Sequence, residues 1–407
     1  MPMNRLKKEK RLSLPLAGFC LVLALFLCYK WWKVFLGVCT GAIYSDVPLH
    51  IELAMGHNDY SLSSLLIQLF YLGGETFAQR ALALSLTVNN LLGLFTVAML
   101  VRFLLPQLSR LEALLAAELA ALCGPWLIPG YQMGVYLNAY NGNLYHNMTV
   151  LFSRTLIPVS FVCFFRCWSA RHGCIPRKDW WGFAISFFIV TAFKPNFAFA
   201  FLPVLAVLLL WDLIRYKGKY FKNEFLMGSA VLPAGFLCIW QYLVLFSNDF
   251  AQSATEMMRE LDESAEDASG IALRLVWGTE LVAVLVMYLR SLLLPVYTLA
   301  LQGLREKERR RIGLFLAVEA VALLEATVLV ETGYRANHGN FAWGGLALYP
   351  AVFALSIGLL IRMLQEAKLK KPLDVFKCLA GLGLLLGHLM VGLYFLWFFG
   401  SGGSYFI

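Results

Sequence analysis

Charged residues are scarce in this 407-residue chain: Asp, Glu, Lys and Arg together make up 14%, against about a quarter in soluble domains. No stretch is long and polar enough to fold as a separate soluble domain, so residues 1–407 read as a single integral membrane domain. Histidine is rarer still, with six residues, and no cluster of His, Cys, Asp or Glu has the spacing of a zinc or calcium site. Neither a divalent metal nor another cofactor is expected. The nine cysteines lack close pairs, which argues against a zinc ribbon and a disulfide framework. Most, such as Cys20, Cys28, Cys163, Cys238 and Cys378, sit in apolar runs as small buried residues. An internal repeat of the kind that builds two-halved transporters is also missing.

What fills the sequence is hydrocarbon. Apolar residues make up 60%, mean hydropathy is +0.68, and runs of about twenty apolar residues recur, each long enough to cross a core of about 30 Å as a helix. The net charge of +9 does not form a patch for nucleic acid. Its basic residues stand in short clusters between apolar runs, where they report topology. Arg5, Lys7, Lys8, Lys10 and Arg11 place the N-terminus in the cytoplasm. The run at 14–36 is expected to stay as a first membrane helix, because no small-residue cleavage site follows and Lys30-Trp31-Trp32-Lys33 is an interfacial anchor. Further spans are expected at about 81–105 and 111–128, then a fourth that follows the loop ending at His146 and returns to Arg166, and then at about 181–193, 196–211, 225–246, 279–304, 312–330, 345–361 and 378–399. The fold class is an all-α polytopic membrane protein of about eleven transmembrane helices, N-terminus inside and C-terminus outside. On this scheme 25 of the 34 Lys and Arg are cytoplasmic.

Three external segments follow from that topology. The first, 39–80, holds Ser45-Asp46-Val47-Pro48-Leu49-His50 and then a run in which Leu62, Leu65, Leu66, Leu69 and Phe70 recur at helical spacing with serines and Gln68 opposite. This is either a helix lying in the interface or a buried turn of an ordinary span. The second, 247–274, is acidic and reads as a solvated, partly helical face. The third, 331–344, carries Tyr334-Arg335-Ala336-Asn337-His338-Gly339-Asn340-Phe341. A shorter loop near 131–146 has no Lys or Arg and ends at Tyr145 and His146. The 181–193 run is short for a crossing and ends at Lys194-Pro195, so 181–211 is either two helices or a broken, re-entrant hairpin with Lys194 recessed below the surface.

The polar groups Asp46, His50, Asn141, His146, Lys194, Arg335 and His338 all fall on the external side of a topology fixed by loop charges alone. Pro48 suits the first turn of a helix, which puts Asp46 and His50 on one face; Ser45 or Asp46 then also serves as its cap. A lysine between two apolar runs is costly unless it meets water or an anion. Arg154, just inside its span, either snorkels outward or binds a phosphate. Arg290, Glu319 and Glu325 lie within spans, as an interhelical ion pair or an ion pathway.

An acidic residue in the first external loop, amphipathic helix material after it, about eleven spans and polar external loops together resemble the GT-C superfamily of multi-pass glycosyltransferases. The resemblance implies a GT-C-like fold and transfer of a sugar from a polyprenyl-phosphate donor, with Asp46 as catalytic base and Glu52 or Asp59 as alternatives. The chemistry agrees: such transfer needs a base for the incoming hydroxyl and cations for the departing phosphate. Lys194, Arg335 and Arg154 are the expected cations. His50, His146, His338 and Asn340 are the remaining substrate-binding candidates. A single acid points to inversion at the sugar carbon. The expected partners are membrane lipids, the lipid-linked sugar and a glycan, lipid or protein acceptor, at a bacterial plasma membrane. Alternatives are an envelope polysaccharide polymerase or ligase, and a transporter or flippase working through Arg290, Glu319 and Glu325.

Overall fold

The computed structural model describes residues 3–56, 61–126, 141, 145, 147–247, 252, 256, 259, 266, 270–335, 339–368 and 371–402. Where hydrocarbon offers no hydrogen-bond partner, a segment must satisfy its own backbone, and the apolar runs are helical. In chain order the helices are α1 (Met3–Cys39), α2 (Val47–Met55), α3 (Leu62–Tyr71), α4 (Glu75–Leu104), α5 (Arg110–Ala120), α6 (Met148–Arg154), α7 (Ile157–Ala170), α8 (Arg177–Phe193), α9 (Asn196–Arg215), α10 (Phe221–Ser229) and α11 (Leu232–Leu245). They continue with α12 (Gly278–Ser291), α13 (Leu293–Leu301), α14 (Glu306–Val328), α15 (Trp343–Glu366) and α16 (Pro372–Gly400).

Among the described residues, seven helical stretches are long and apolar enough to cross a membrane, or eight if α12 and α13 form one span. The chain is an integral membrane protein of helices. Helix α15 is its axis, with 89% of its most apolar window buried, against 17% for α1 and 33% for α16. The outer helices turn large apolar side chains outward, among them Leu25, Phe95, Trp240 and Trp397, as a hydrocarbon solvent requires.

Fewer spans than eleven meet the length and composition of a crossing, for three local reasons. The segment expected at 111–128 is helical only to Ala120 within the described residues. Helix α8 has 17 residues. Helix α14 has 23 but carries a charged first turn and a half, then Glu319 and Glu325. The expected continuous helix over 279–304 is instead broken at Leu292, where α12 and α13 meet at 71°.

The break is held by the chain end of α5. Arg290 Nε donates to the Trp126 carbonyl at 2.8 Å, and the Trp126 N–H returns to the Arg290 carbonyl at 3.3 Å. His388 of α16, fully buried, donates from Nδ1 to the Gly124 carbonyl at 2.6 Å, while its Nε2 accepts from the Leu294 N–H at 3.4 Å. Backbone meets backbone here: a Cβ built on Gly392 would stand 1.8 Å from the Leu122 oxygen. Only glycine permits that approach.

The all-α expectation holds for the bundle, and the described residues add one short two-stranded antiparallel sheet outside it. β1 (Ile271–Leu273) pairs with β2 (Leu329–Glu331), Ile271 opposite Glu331. It ties the end of the acidic 247–274 segment to the end of α14 and so fixes where Glu331 stands. At the far end of the bundle, Arg362 donates to Glu308 at 2.9 Å and to the Gly303 carbonyl at 3.0 Å, locking the end of α15 to the start of α14.

Candidate functional site

The first component is the turn between α1 and α2. Ser45 Oγ accepts from the Val47 N–H at 3.2 Å, and Asp46 occupies the N-cap position without a side-chain capping bond, with Pro48 in the first turn. Capping therefore does not consume the Asp46 carboxylate. The His50 N–H donates to the Asp46 carbonyl at 2.9 Å, so the two residues stand one helical turn apart.

Helix α3 docks beneath α2 through Gln68 Nε2, which donates to the Ala54 carbonyl at 2.8 Å. Ser61 caps it, accepting from the Ser64 N–H. Its serines Ser63 and Ser64 are buried while Leu65 and Leu69 point outward. The amphipathic pattern is thus turned inside out relative to a water-soluble protein, with hydroxyls toward the protein and leucines away from it.

The second component is the Lys194-Pro195 break. Proline disfavours helical backbone in the residue before it, and Lys194 is extended (φ −154°, ψ 119°) at the end of α8. Its N–H still bonds the Val190 carbonyl at 2.9 Å, and α9 restarts at Asn196. The Lys194 ammonium lies 5.8 Å from the centre of the Trp343 ring, within cation–π range.

The third component is the segment after β2. Arg335 holds Glu331 with both arms, Nε to Oε2 at 2.8 Å and Nη2 to Oε1 at 3.2 Å. The side chains of Glu331 and Arg335 are only 8% and 16% exposed. Asn340 Nδ2 donates to the same Glu331 carboxylate. The Asn340 carbonyl accepts from Asn196 Nδ2 at 2.7 Å, and its Oδ1 accepts from Trp343 Nε1 at 3.0 Å. One buried carboxylate thereby organises the wall on which Lys194 rests.

The second and third of these pieces line an open recess, walled by Lys194, Asn196, Gln241, Glu331, Arg335 and Asn340, with Ser61, Thr149 and Tyr242 at other points of its lining; Asp46 and His50 do not line it. Asp46 and His50 couple to it electrostatically. Burial raises the Asp46 carboxyl above its ordinary value, and the Lys194 ammonium opposes that rise. Burial, then the charges of Lys194 and Arg335, push His50 down to about 4, so its ring is neutral at physiological pH. Lys194 is pushed down to about 8 by burial and by Arg335, against the pull of Glu331 and Asp46. Lys194 is thus the hub, within range of both carboxylates and of the guanidinium.

Among the sequence candidates, Asp46, His50, Lys194, Arg335 and Asn340 come together. Arg154 does not line this recess; it lines a separate cavity on the other side of α6. His146, His338 and Asp59 lie outside the described residues. Glu52 is described, on α2, but the field around Lys194 is set by Asp46 and Glu331. Glu331 was not among the candidates, although its signal was in the sequence: a carboxylate four residues before Arg335 on a tight segment is a pairing position. Trp343 and Asn196 carried no comparable signal. Asn147, of the sequon Asn147-Met148-Thr149, is buried and caps α6, with Oδ1 accepting from the Val150 N–H at 3.2 Å.

Among the described residues no group of three or more His, Cys, Asp or Glu is placed to hold a metal ion. What the recess offers is a desolvated cation, Lys194, among amide and hydroxyl groups, with the Asp46 carboxylate outside the lining but within electrostatic range of that cation. In comparisons with known proteins, no family model, curated protein or solved structure matches the chain.

Proposed function

We propose that the chain is a membrane glycosyltransferase of GT-C type, moving a sugar from a polyprenyl-phosphate donor to a cell-envelope glycan, lipid or protein acceptor on the external face. In this reading the Asp46 carboxylate takes the proton of the acceptor hydroxyl, whose oxygen attacks the anomeric carbon of the sugar. The bond from that carbon to the phosphate oxygen breaks, its electron pair stays on the oxygen, and polyprenyl phosphate departs with one more negative charge. Lys194 meets the developing charge. Arg335, already held by Glu331, shapes the field around Lys194, and neutral His50 orients a hydroxyl. Attack from the face opposite the leaving phosphate inverts the sugar carbon. The reading includes eleven crossings, with α5, α8 and α14 completing the count, and a cytoplasmic N-terminus.

The observation that carries it is convergence: segments around residues 46, 194 and 335, far apart in sequence, share one electrostatic neighbourhood centred on Lys194. Its test is the lipid fraction of a host lacking the protein. A lipid-linked sugar should accumulate there, disappear on restoring the wild-type chain, and persist with Asp46→Asn; clearance by Asp46→Asn would remove the base from the mechanism.

A second reading is favoured by one feature, the 71° break between α12 and α13 beside buried Arg290. Broken helices at membrane depth line substrate paths in transporters, and a transporter would lose function at Arg290 or Glu319 while tolerating Asp46→Asn.

A further inference from the structure

We infer that Glu224, with Asp212, Arg171 and His172, forms a buried proton-binding site at the end of the bundle far from the recess, and that its proton latches the loop after α7 onto α10. Glu224 stands in the first turn of α10 and is 5% exposed, and neither of its carboxylate oxygens has a hydrogen-bond partner among the described residues. An ionised carboxylate accepts several bonds, and burying one with none carries a heavy desolvation penalty. The neutral acid avoids most of that penalty.

The surrounding charges lead to the same conclusion. Asp212, near the end of α9 and 2% exposed, is already engaged: it accepts from Arg171 Nε, from Arg171 Nη2 at 3.4 Å and from His172 Nε2 at 3.1 Å. Arg171 is fixed there, donating from Nη1 to the Trp168 carbonyl at 2.8 Å with its guanidinium 3.9 Å from the centre of the Trp168 ring. Glu224 lies within electrostatic range of Asp212, His172 and Arg171. Arg171 balances Asp212, which leaves the Glu224 charge over. One proton, shared between Glu224 and His172, closes the balance. The other described groups do not supply it: α11 packs on α10 without a charged side chain, and Asp179 of α8 is met by Arg166 at 3.3 Å. Lys222 is exposed, and Arg215 and Lys219 lie over the rings of Tyr216 and Tyr220.

The proton sits where two segments are joined. Asn223, beside Glu224, donates from Nδ2 to the Arg171 carbonyl at 2.7 Å and to the Gly173 carbonyl at 2.8 Å. The His172 ring stacks on Tyr220 at 4.3 Å. When the proton leaves, ionised Glu224 faces Asp212 without a partner and must reach water, which draws the first turn of α10 away from these contacts. The latch is therefore closed at lower pH and weakens as pH rises. Helix α10 leads directly into α11, which supplies Gln241 and Tyr242 to the recess lining.

Neither the site nor its test depends on the transfer reaction. The first measurement is pH-difference infrared spectroscopy of the purified full chain in detergent, read at the carbonyl stretch of protonated carboxyl groups. A band lost between about pH 5 and 9 is expected in the wild type and missing from Glu224→Gln. Asp212→Asn removes a like charge and frees Arg171 for Glu224, so the midpoint of that band should fall by about one pH unit or more. His172→Gln removes a neighbour that is positive when protonated, so the midpoint should rise. The second measurement is hydrogen exchange of the 219–230 peptide, corrected for the intrinsic rise of exchange with pH. Protection should drop by about tenfold across that range in the wild type, the equivalent of one pH unit of differential proton affinity, and should hold in Glu224→Gln, which stays neutral.

A difference spectrum that Glu224→Gln leaves unchanged would overturn the proton site. A lost band accompanied by the same pH dependence of exchange in the wild type and Glu224→Gln would overturn the latch.

Discussion

Lys194 should be the most nucleophilic lysine of the chain at neutral pH. Burial and the Arg335 charge bring it from 10.5 to about 8. At pH 7.4 such a group is neutral in roughly a fifth of molecules, against about one in a thousand for an unperturbed lysine. The difference in reactive amine is therefore roughly two orders of magnitude. The residue borders an open recess, so a small acylating reagent reaches it. The assay is competitive labelling across pH 6 to 11, read as the rate at the Lys194 peptide relative to exposed lysines. Two substitutions fix the sign. Arg335→Gln removes a positive neighbour, so the ammonium is less disfavoured, the midpoint rises and labelling at pH 7.4 falls. Asp46→Asn removes a negative neighbour, so the midpoint falls and labelling rises, each by about one pH unit if the charges stand within 4–6 Å. A Lys194 midpoint above 10, or the same displacement in both variants, would refute the placement of Lys194 as the electrostatic hub.

On the proposed reading the same field governs catalysis. Asp46 is raised by burial and lowered by Lys194, so Lys194→Met should move the acidic limb of the pH–activity profile to higher pH besides lowering the rate; an unmoved limb would separate the two groups. Gly392→Ala puts a Cβ 1.8 Å from the Leu122 oxygen, backbone against backbone, and should destabilise by about 3 kcal/mol or more, read as a lower unfolding temperature in detergent. Gly383, with nothing near its Cβ, is the control. Arg362→Met strips a partner from Glu308, in a pair 3% and 5% exposed, and should destabilise by about 3–5 kcal/mol. Arg310→Ala breaks an exposed pair with Glu306 and should change stability by about 0.5 kcal/mol or less.

Much of this architecture was legible because membrane physics writes itself into composition. Apolar runs gave the long helices, and Lys194-Pro195 announced the break between α8 and α9 through the backbone limits of proline. The outward leucines of α3 and the first-turn position of Pro48 followed from spacing. What periodicity does not encode is contact between distant chains. The bend at Leu292 depends on Arg290 meeting Trp126, and on His388 reaching both Gly124 and Leu294, partners more than ninety residues away. The strand pair formed because the end of α14 found Ile271, and it carried Glu331 into the site. Arg154 shares the loop-side ends of its neighbours with Lys194, yet α6 stands between their cavities, a separation that topology alone does not resolve.

The claim that this bundle performs group transfer at Asp46, rather than transport along its interior, is tested most directly by one complementation experiment. In a host lacking the protein, Asp46→Asn is set beside Glu319→Gln at matched membrane levels, and the lipid-linked sugar that accumulates is measured. The account predicts accumulation with Asp46→Asn and clearance with Glu319→Gln; clearance with Asp46→Asn and accumulation with Glu319→Gln would contradict it.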